Sequence, residues 1–258
     1  MSIDVDPDWW KELFDDTYLL TDARSVCDDR ITCQEVDVIC DLLPVRKDQK
    51  LLDLCGGHGR HSLELYSRGY EQCTLVDYSD SLIQHAQKQA AAAGSDLQFV
   101  RSDARQVGLS SSRFDHIIIM GNSLGYLLDP DGDREILTEA YRLLSPGGWV
   151  LADVTDQEAV KTSVNPLAWH EIGDDTVVCR QREIDSERIK AREMVMSKRK
   201  GLIRDKTYTI RLYDARSLAR LLERAGFTSI EVHTCFNPHG TKGDYGCMNN
   251  RMLVVGRK

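Results

Sequence analysis

The chain has 258 residues, of which 41% are hydrophobic and 29% are charged, and its formal net charge is −8 at pH 7. A chain of this length and composition can bury the core of a single domain. It contains no long run of Lys or Arg. Because sequence-independent nucleic-acid binding relies on clustered cations, nucleic acid is not expected as a partner.

The first residues and the cysteines indicate a compartment. The N-terminal stretch is acidic and lacks the apolar core of a signal peptide, and no apolar run reaches membrane-spanning length. The eight cysteines are scattered without a Cys-x-x-Cys pair, a pattern that favours reduced thiols over a disulfide framework or a zinc site. We therefore predict a cytoplasmic protein with no membrane partner and no metal. The oligomeric state is left open.

The N-terminal region predicts two helices. Residues 8–20 form the first, with aromatic residues that either pack onto the domain or cover a pocket. The clustered residues are Trp9, Trp10, Leu13 and Phe14, with Tyr18 just beyond. The second begins at a capping box formed by Thr32 and Glu35 and ends at Pro44. We interpret residues 1–44 as a helical lid.

Residues 50–62 predict a strand, a glycine turn and a helix, which is the first half of a βαβ unit. Three leucines flank Asp53, and the run then breaks into Gly56, Gly57 and Gly59. Glycine permits both a tight turn and close backbone approach to a ligand. The free N–H groups of the following helix suit an anionic ligand group. This stretch therefore predicts the floor of a nucleotide-type cofactor site.

Repeated strands and helices follow. Strands are predicted at 73–77, 97–101, 114–120 and 149–154, with helices at 80–93, capped by Ser79, and at 134–144. Asp77 ends the second strand about twenty residues beyond the glycine loop, where dinucleotide-binding sites place an acid that binds ribose hydroxyls. Asp103 follows the third strand. Residues 45–155 thus predict a parallel, doubly wound core with its site at the carboxyl ends of the strands.

The pattern changes after the fifth predicted strand. Residues 176–212 predict three antiparallel strands with turns at 185–187 and 200–201, so that residues 165–213 form a β cap inserted over the site. Residues 214–258 predict a helix at 215–225 closed by Gly226, then strands at 229–235 and 251–255 separated by a polar loop at 237–250. The predicted fold is one α/β domain, residues 1–258. Its sheet is doubly wound, mainly parallel and seven-stranded, with a small antiparallel insertion.

Two other motifs favour different ligands. Residues 129–133 hint at a calcium loop, but Ala140 stands where a bidentate Glu is required, so a turn with Asp131 or Asp133 capping the next helix is favoured. Residues 57–62 half resemble the nicotinamide fingerprint, with Ser62 in place of the third glycine. The missing glycine, the acids and the inserted strands argue against hydride chemistry.

The motifs together resemble those of class I S-adenosylmethionine-dependent methyltransferases. Residues 52–59 (Leu-Asp-Leu-Cys-Gly-Gly-His-Gly) match the first motif of that family, although Cys55 stands where Gly is frequent. Asp77 matches the ribose-binding acid, and residues 103–104 match the positions beside the adenine. Residues 114–126 resemble the motif that faces the methyl group, and residues 143–151 resemble the common entry to strand five. The resemblance runs from about residue 30 to the end of the chain and implies the seven-stranded fold of the family.

The resemblance implies S-adenosylmethionine as cofactor, S-adenosylhomocysteine as product, and a set of binding residues. The expected cofactor-binding residues are Asp53, Cys55, Gly56, Gly57, Gly59, Asp77, Tyr78, Asp103, Ala104, Gly121 and Asn122. The expected substrate-binding residues are Trp10, Tyr18, Tyr126, Arg211 and Tyr213. No catalytic residue is assigned. The candidates for a general base are His58, His61, His170, His233 and His239, and polar residues of loops and helices are more often structural.

The implied reaction is in-line methyl transfer to a nucleophile, in which the protein positions and desolvates the reactants. The acidic surface and the cap favour a small-molecule acceptor methylated at N or O. The alternatives are a tRNA or protein acceptor and a catalytically silent cofactor-binding module. Residues 121–125 lack the Asn/Asp-Pro-Pro-aromatic tetrapeptide typical of enzymes that methylate exocyclic or amide nitrogens, which lowers the macromolecular alternative.

Overall fold

The computed structural model describes residues 2–185, 187–240, 246–249 and 251–258. Residues 241–245 and 250 of the predicted polar loop, and Ser186 of a predicted turn, lie outside the described residues. The helices are α1 (Trp10–Leu13), α2 (Asp16–Thr21), α3 (Ala23–Val26), α4 (Asp29–Leu42), α5 (Arg60–Ser67), α6 (Asp80–Ala92), α7 (Gly132–Leu143), α8 (Gln157–Ser163) and α9 (Ala215–Ala225). The strands are β1 (Leu51–Leu54), β2 (Cys73–Asp77), β3 (Gln98–Arg101), β4 (Phe114–Ile119), β5 (Leu144–Thr155), β6 (Leu167–Ile172), β7 (Thr176–Ile184), β8 (Arg188–Ser197), β9 (Gly201–Arg211), β10 (Thr228–Phe236) and β11 (Arg251–Arg257).

A seven-stranded sheet in the order β10-β11-β5-β4-β1-β2-β3 forms the centre of the molecule. Strands β1 to β5 are parallel, and β11 runs antiparallel to both β5 and β10. The central strand β1 pairs with β2 on one side and β4 on the other. The chain order reverses at this point, and open α/β sheets bind ligands in the crevice outside such a switch point. The predicted sheet is confirmed.

Alternate residues of the central strands pack on opposite faces of the sheet. Leu52 and Leu54 belong to the cluster that includes residues of α7 and α9, whereas Leu51 belongs to the cluster that includes residues of α4 and α5. All four residues of β1 are buried. A strand covered on both faces reads as a continuous apolar run, and Asp53, which interrupts this run, therefore lies in the interior.

A second sheet, the cap sheet, has four antiparallel strands in the order β6-β7-β8-β9. Three strands were predicted here, and that number is wrong because β6 was missed. Strand β6 is a six-residue edge strand whose Leu167 and Trp169 are 73% and 70% exposed. An exposed edge strand has no buried apolar face, so its sequence lacks the pattern that identifies β7 to β9.

Capping residues and local backbone conformation set several helix boundaries. Ser79 caps α6 through its hydroxyl, which accepts from Leu82 N at 3.1 Å, and Gly226 closes α9 with a φ of 105°, both as predicted. The predicted helix at 8–20 is instead split, because Asp15 adopts an extended backbone and caps α2. The region predicted as helix up to residue 144 ends at Leu143, and β5 begins at Leu144.

The capping box predicted at Thr32 and Glu35 is wrong. The N-cap residue of α4 is Asp28, four residues before Thr32, because the Asp28 carboxylate accepts from Ile31 N at 3.2 Å, and the helix begins at Asp29. Thr32 lies inside the helix, and its hydroxyl donates to Asp28 O at 3.1 Å. Among the described residues, no helix combines the length and the apolar character that crossing a bilayer requires.

Candidate active site

The loop between β1 and α5 brings its backbone close to β2. A Cβ atom on Gly56 would lie 2.8 Å from Cγ of both Asp53 and Leu75, so only glycine fits. Gly59, the N-cap residue of α5, has a φ of 82°. Cys55 has a φ of 62°, in the left-handed region that favours glycine. Burial, together with nearby Asp77 and Asp53, raises the pKa of the Cys55 thiol well above its ordinary value.

Asp53 supports this loop from the interior of the sheet. Its Oδ2 accepts a hydrogen bond from Ser62 Oγ at 2.7 Å, and its buried Oδ1 has no partner among the described residues. Burial raises the pKa of this carboxyl group. Since a buried polar atom is ordinarily hydrogen-bonded, Oδ1 has capacity for a ligand group or a water molecule.

Asp77 connects the loop to the next helix at the end of β2. Its Oδ2 accepts from Gly57 N and its Oδ1 accepts from Ser79 N, each at 2.8 Å. Burial raises the pKa of Asp77 to about 6 despite these two backbone donors. Each carboxylate oxygen keeps a free lone pair, so the side chain can accept two further hydrogen bonds.

Asp103, Ala104 and Trp10 form the far end of the same crest. Arg105 Nη2 lies 2.6 Å from Asp103 Oδ2; burial would raise the pKa of Asp103, but this contact holds it below its ordinary value. The Trp10 ring packs edge-on against Tyr78 at 4.7 Å between centroids, and the Arg105 guanidinium lies 5.7 Å from the Trp10 ring. Trp10 therefore covers the end of the cleft beside Asp77 and Asp103.

These residues surround a first cavity at the carboxyl ends of β1 to β4. Its empty volume is about 1020 Å³ when the part open to solvent is included. The predicted residues among its lining are Trp10, Tyr18, Cys55, Gly56, Gly57, Asp77, Tyr78, Asp103, Ala104, Gly121 and Tyr126. Lining residues that sequence reasoning did not assign include Phe14, Val26, Arg60, Leu82, Met120 and Ser123. Asp53, Gly59 and Asn122 are not among its described lining residues, and Asn122 lines the second cavity described next.

A second cavity adjoins the first, between the cap sheet and the N-terminal segment, which we define as residues 2–27. Its empty volume is about 690 Å³, counted in the same way. The two cavities share Phe14, Tyr18, Val26, Gly121 and Tyr126. The remaining described lining includes Trp9, Asp22, Arg180, Arg182, Glu193, Arg204, Tyr208 and Met248. Aromatic rings and buried charged groups thus face one compartment.

Ion pairs join the N-terminal segment to the cap sheet. Arg204 Nη1 donates to Asp15 Oδ1 at 2.8 Å, and Arg180 Nη2 donates to Asp22 Oδ2 at the same distance. Both arginines also bind Glu193. Burial would raise the pKa of the Glu193 carboxyl group, but the two arginines hold it below its ordinary value. These pairs are partly or wholly shielded from water, so salt screens them less than surface pairs.

A strained turn separates the two cavities. Gly121 and Asn122 follow β4 with φ values of 75° and 62°. The Asn122 side chain holds this turn, because its Oδ1 accepts from Thr155 N at 2.6 Å and from Thr155 Oγ1 at 2.9 Å. A Cβ on Gly121 would meet no atom within 4 Å and would project into open space. The turn therefore leaves a passage where the cavities meet.

A buried chain of charges connects this turn to the glycine loop. Asn122 N donates to Asp153 Oδ1 at 3.0 Å, and Asp153 Oδ2 accepts from Arg251. Arg251 also donates to Glu35, which in turn accepts from Arg60. Arg251, Glu35 and Asp153 are fully buried. This series of buried ion pairs was not predicted from the sequence. Its one signal in the sequence was Arg251, a charged residue at the start of the apolar stretch 251–255.

Arg211 and Tyr213 bind Asp133 rather than lining either cavity. Tyr213 Oη donates to Asp133 Oδ2 at 2.5 Å, Arg211 Nε donates to the same oxygen at 3.2 Å, and Asp133 Oδ1 accepts from Gly125 N at 2.9 Å. Asp131 is the N-cap residue of α7, as one of the two predicted alternatives has it, but its side chain makes no capping hydrogen bond. Asp133 is committed to the contacts above. A direct contact of Arg211 or Tyr213 with an acceptor stays a prediction.

The histidines beside the first cavity have structural partners. His58 Nε2 donates to Val26 O at 2.9 Å, and burial, aided by Arg60, lowers the His58 pKa to about 4. His61 Nε2 lies 2.9 Å from Glu35 Oε2. His170, His233 and His239 are not among the described lining of either cavity, and burial lowers the pKa of His239 to about 4. No general base is assigned from these positions.

Comparison with known proteins agrees with this geometry. A family model described as a methyltransferase domain matches residues 51–148. The ubiquinone/menaquinone biosynthesis C-methyltransferase of Roseobacter denitrificans is 35% identical over 115 residues, which are 43% of this chain and 44% of that protein. The glycine/sarcosine N-methyltransferase of Aphanothece halophytica is 31% identical over 113 residues, which are 43% of this chain and 42% of that protein. The chain thus spans less than half the length of these relatives.

The similarity of fold extends over nearly the whole chain. The structure of the CcbJ methyltransferase from Streptomyces caelestis superposes with a TM-score of 0.74 at 20% identity, covering 93% of this chain and 95% of that one. At this level of identity the match shows the shared fold alone.

Proposed function

The chain belongs to the class I S-adenosylmethionine-dependent methyltransferase family, and on that premise we propose that it transfers the methyl group of S-adenosylmethionine to a nitrogen or oxygen of a small molecule. The observation that carries the proposal is the pair of adjoining cavities. The first has the acids and glycines suited to an adenosyl ligand, and the second is bounded by the N-terminal segment and the cap sheet.

The first cavity fits the cofactor in four respects. Asp77 has two acceptor positions that can serve the ribose hydroxyls, and residues 103–104, which line the same cavity, are proposed to pack against the adenine. The glycine loop allows close backbone approach. Asp53 Oδ1 remains without a partner among the described residues beneath that loop, where it can receive a hydrogen bond through water. When bound, the cofactor supplies a methyl group already activated by its sulfonium.

The protein's own contribution is positioning and exclusion of water. The turn at Gly121 borders both cavities, and Phe14, Tyr18 and Tyr126 wall the junction, so an acceptor in the second cavity meets the first at this passage. Glu193, which faces the second cavity, is held as a carboxylate by Arg180 and Arg204 and is a weak base. We therefore assign the departing proton to water, and the rate gain to orientation and desolvation.

The walls of the second cavity favour a small acceptor. Its walls are aromatic rings and paired charges contributed by the N-terminal segment and the cap sheet. A nucleotide within a folded tRNA or a side chain of a folded protein would have to displace these walls to reach the passage.

The test is methyl transfer from labelled S-adenosylmethionine into three fractions: extracted metabolites, RNA and protein. We expect label in the metabolite fraction only, and Asp77→Ala protein serves as the control for enzyme-independent transfer. Label confined to RNA or protein would refute the small-molecule acceptor. Binding of S-adenosylhomocysteine without transfer into any fraction would instead support a catalytically silent module.

A further inference from the structure

Arg60, the first residue of α5, has one half of its guanidinium group engaged and the other half unpartnered. Nη1 donates to the Glu35 carboxylate and to Thr32 Oγ1, the latter at 3.3 Å. Nη2 is buried and has no hydrogen-bond partner among the described residues. The side chain is 9% exposed, so water reaches it poorly. An unpaired buried donor is costly, and a ligand acceptor would remove that cost.

The charged residues around the first cavity come from different elements of the fold. Asp77 and Asp103 follow β2 and β3, whereas Arg60 follows the glycine loop and is the one Arg or Lys among the described lining residues. His58 and His61, which also line the cavity, are hydrogen-bonded to Val26 O and to Glu35. Arg60 is therefore the cation available to a ligand. This arrangement suits a ligand with hydroxyl groups at one end and an anion at the other.

The buried chain of charges holds Arg60 in place before any ligand binds. Glu35 accepts hydrogen bonds from Arg60, His61 and Arg251. Burial would raise the pKa of Glu35, but the two arginines and the hydrogen bond with His61 hold it well below its ordinary value. Because Nη1 donates to both this carboxylate and Thr32 Oγ1, the guanidinium group is held against α4 and its freedom to rotate is restricted. A guanidinium held in this way is suited to carboxylate recognition, with little side-chain entropy left to lose.

We propose that Arg60 Nη2 binds the carboxylate of the amino-acid end of the cofactor, while Nη1 stays on Glu35. The inference rests on the proposed function and adds a recognition site to it. With the ribose hydroxyls at Asp77 and the carboxylate at Arg60, the two ends of the ligand are fixed. The sulfur between them is thereby held in one orientation in the cleft.

The experiment compares two ligands that differ only in the carboxylate: S-adenosylhomocysteine and its decarboxylated form. Their dissociation constants are measured by calorimetry for the wild-type protein and for Arg60→Met. We expect Arg60→Met to weaken S-adenosylhomocysteine about 10- to 100-fold and to leave the decarboxylated ligand within about twofold. Arg68→Met, at the residue that follows α5, is the matched control and should change neither constant.

Equal weakening of both ligands in Arg60→Met would overturn the inference, because it would show a purely structural role for Arg60. Unchanged binding of both ligands, or a wild-type protein that does not distinguish them, would overturn it too. If Arg60→Met fails to fold, the same comparison is made with Arg60→Lys. The lysine ammonium keeps the charge but lacks the planar guanidinium geometry that lets Arg60 bind Glu35 and the ligand at the same time. Wild-type protein that binds neither ligand would refute the proposed function, and the inference would fall with it.

Discussion

The pKa of Asp77 gives a quantitative test of the cofactor site. Burial raises that pKa to about 6, so the carboxylate predominates at neutral pH and the acid form predominates below about pH 5. The ionised form accepts hydrogen bonds at all its lone pairs, whereas the protonated form has lost acceptor capacity and charge. Binding of a ribose diol therefore favours the ionised form and requires release of a proton at low pH.

The expected result is a dissociation constant for S-adenosylhomocysteine that is constant above about pH 7 and rises towards tenfold per pH unit below about pH 6. His58, which also faces the cleft, has a pKa lowered to about 4 and stays neutral over that range. Calorimetric titrations between about pH 5 and pH 8 measure the profile directly.

Replacement of Asp77 by Asn gives the magnitude. The amide keeps the shape but loses the charge and one acceptor oxygen, and its NH2 group opposes a backbone N–H donor of Gly57 or Ser79. Hydrogen bonds to charged groups contribute about 1.5–3 kcal/mol, so Asp77→Asn should weaken binding about 10- to 150-fold at neutral pH and flatten the profile. A folded Asp77→Asn protein with unchanged affinity, or a wild-type profile flat across this range, would refute the reasoning.

Two further predictions concern the buried charges and the N-terminal segment. Arg251→Met leaves two buried carboxylates without their shared cation, and we expect a loss of about 3–5 kcal/mol in the free energy of unfolding, measured by urea titration. Asp15→Asn keeps the cap of α2 but removes the charge that pairs with Arg204. We therefore expect S-adenosylhomocysteine to dissociate about two- to tenfold faster, as measured by stopped-flow fluorescence. Asp8→Asn, which removes an ion pair with Lys11 instead, is the control.

Each of these two predictions has an outcome that would contradict it. An Arg251→Met protein as stable as the wild type would mean that the two carboxylates are accommodated without the guanidinium. Equal dissociation rates for Asp15→Asn and Asp8→Asn would mean that the ion pair to the cap sheet does not retain the N-terminal segment over the ligand.

The parts of the fold and site that local sequence predicts are those whose cause is local. The glycine turn, the acid at the end of β2 and the caps of α6 and α9 each depend on a few adjacent residues, and the structure has them where they were expected. Asp77 could be singled out because strand, acid and helix cap occur within seven residues, 73–79. Such signals need no knowledge of the rest of the chain.

The parts that escaped prediction depend on distant residues. Glu35 was read as half of a capping box, because its spacing from Thr32 fits one, but its carboxylate binds Arg251, which is 216 positions away. The unpartnered half of Arg60 exists only because Glu35 holds the other half. Strand β6 pairs with β7 and buries little apolar surface of its own. Its sequence therefore shows neither the alternating hydrophobic pattern nor the apolar composition that would identify it as a strand.

The shared wall between the two cavities has a thermodynamic consequence. Phe14 and Tyr18 border both compartments, and the Ser79 hydroxyl donates to Phe14 O at 2.6 Å, beside the carboxylate of Asp77. A ligand that shifts these rings in one compartment changes the surface available to a ligand in the other. The two affinities are then linked, and by reciprocity each ligand alters the other's dissociation constant by the same factor.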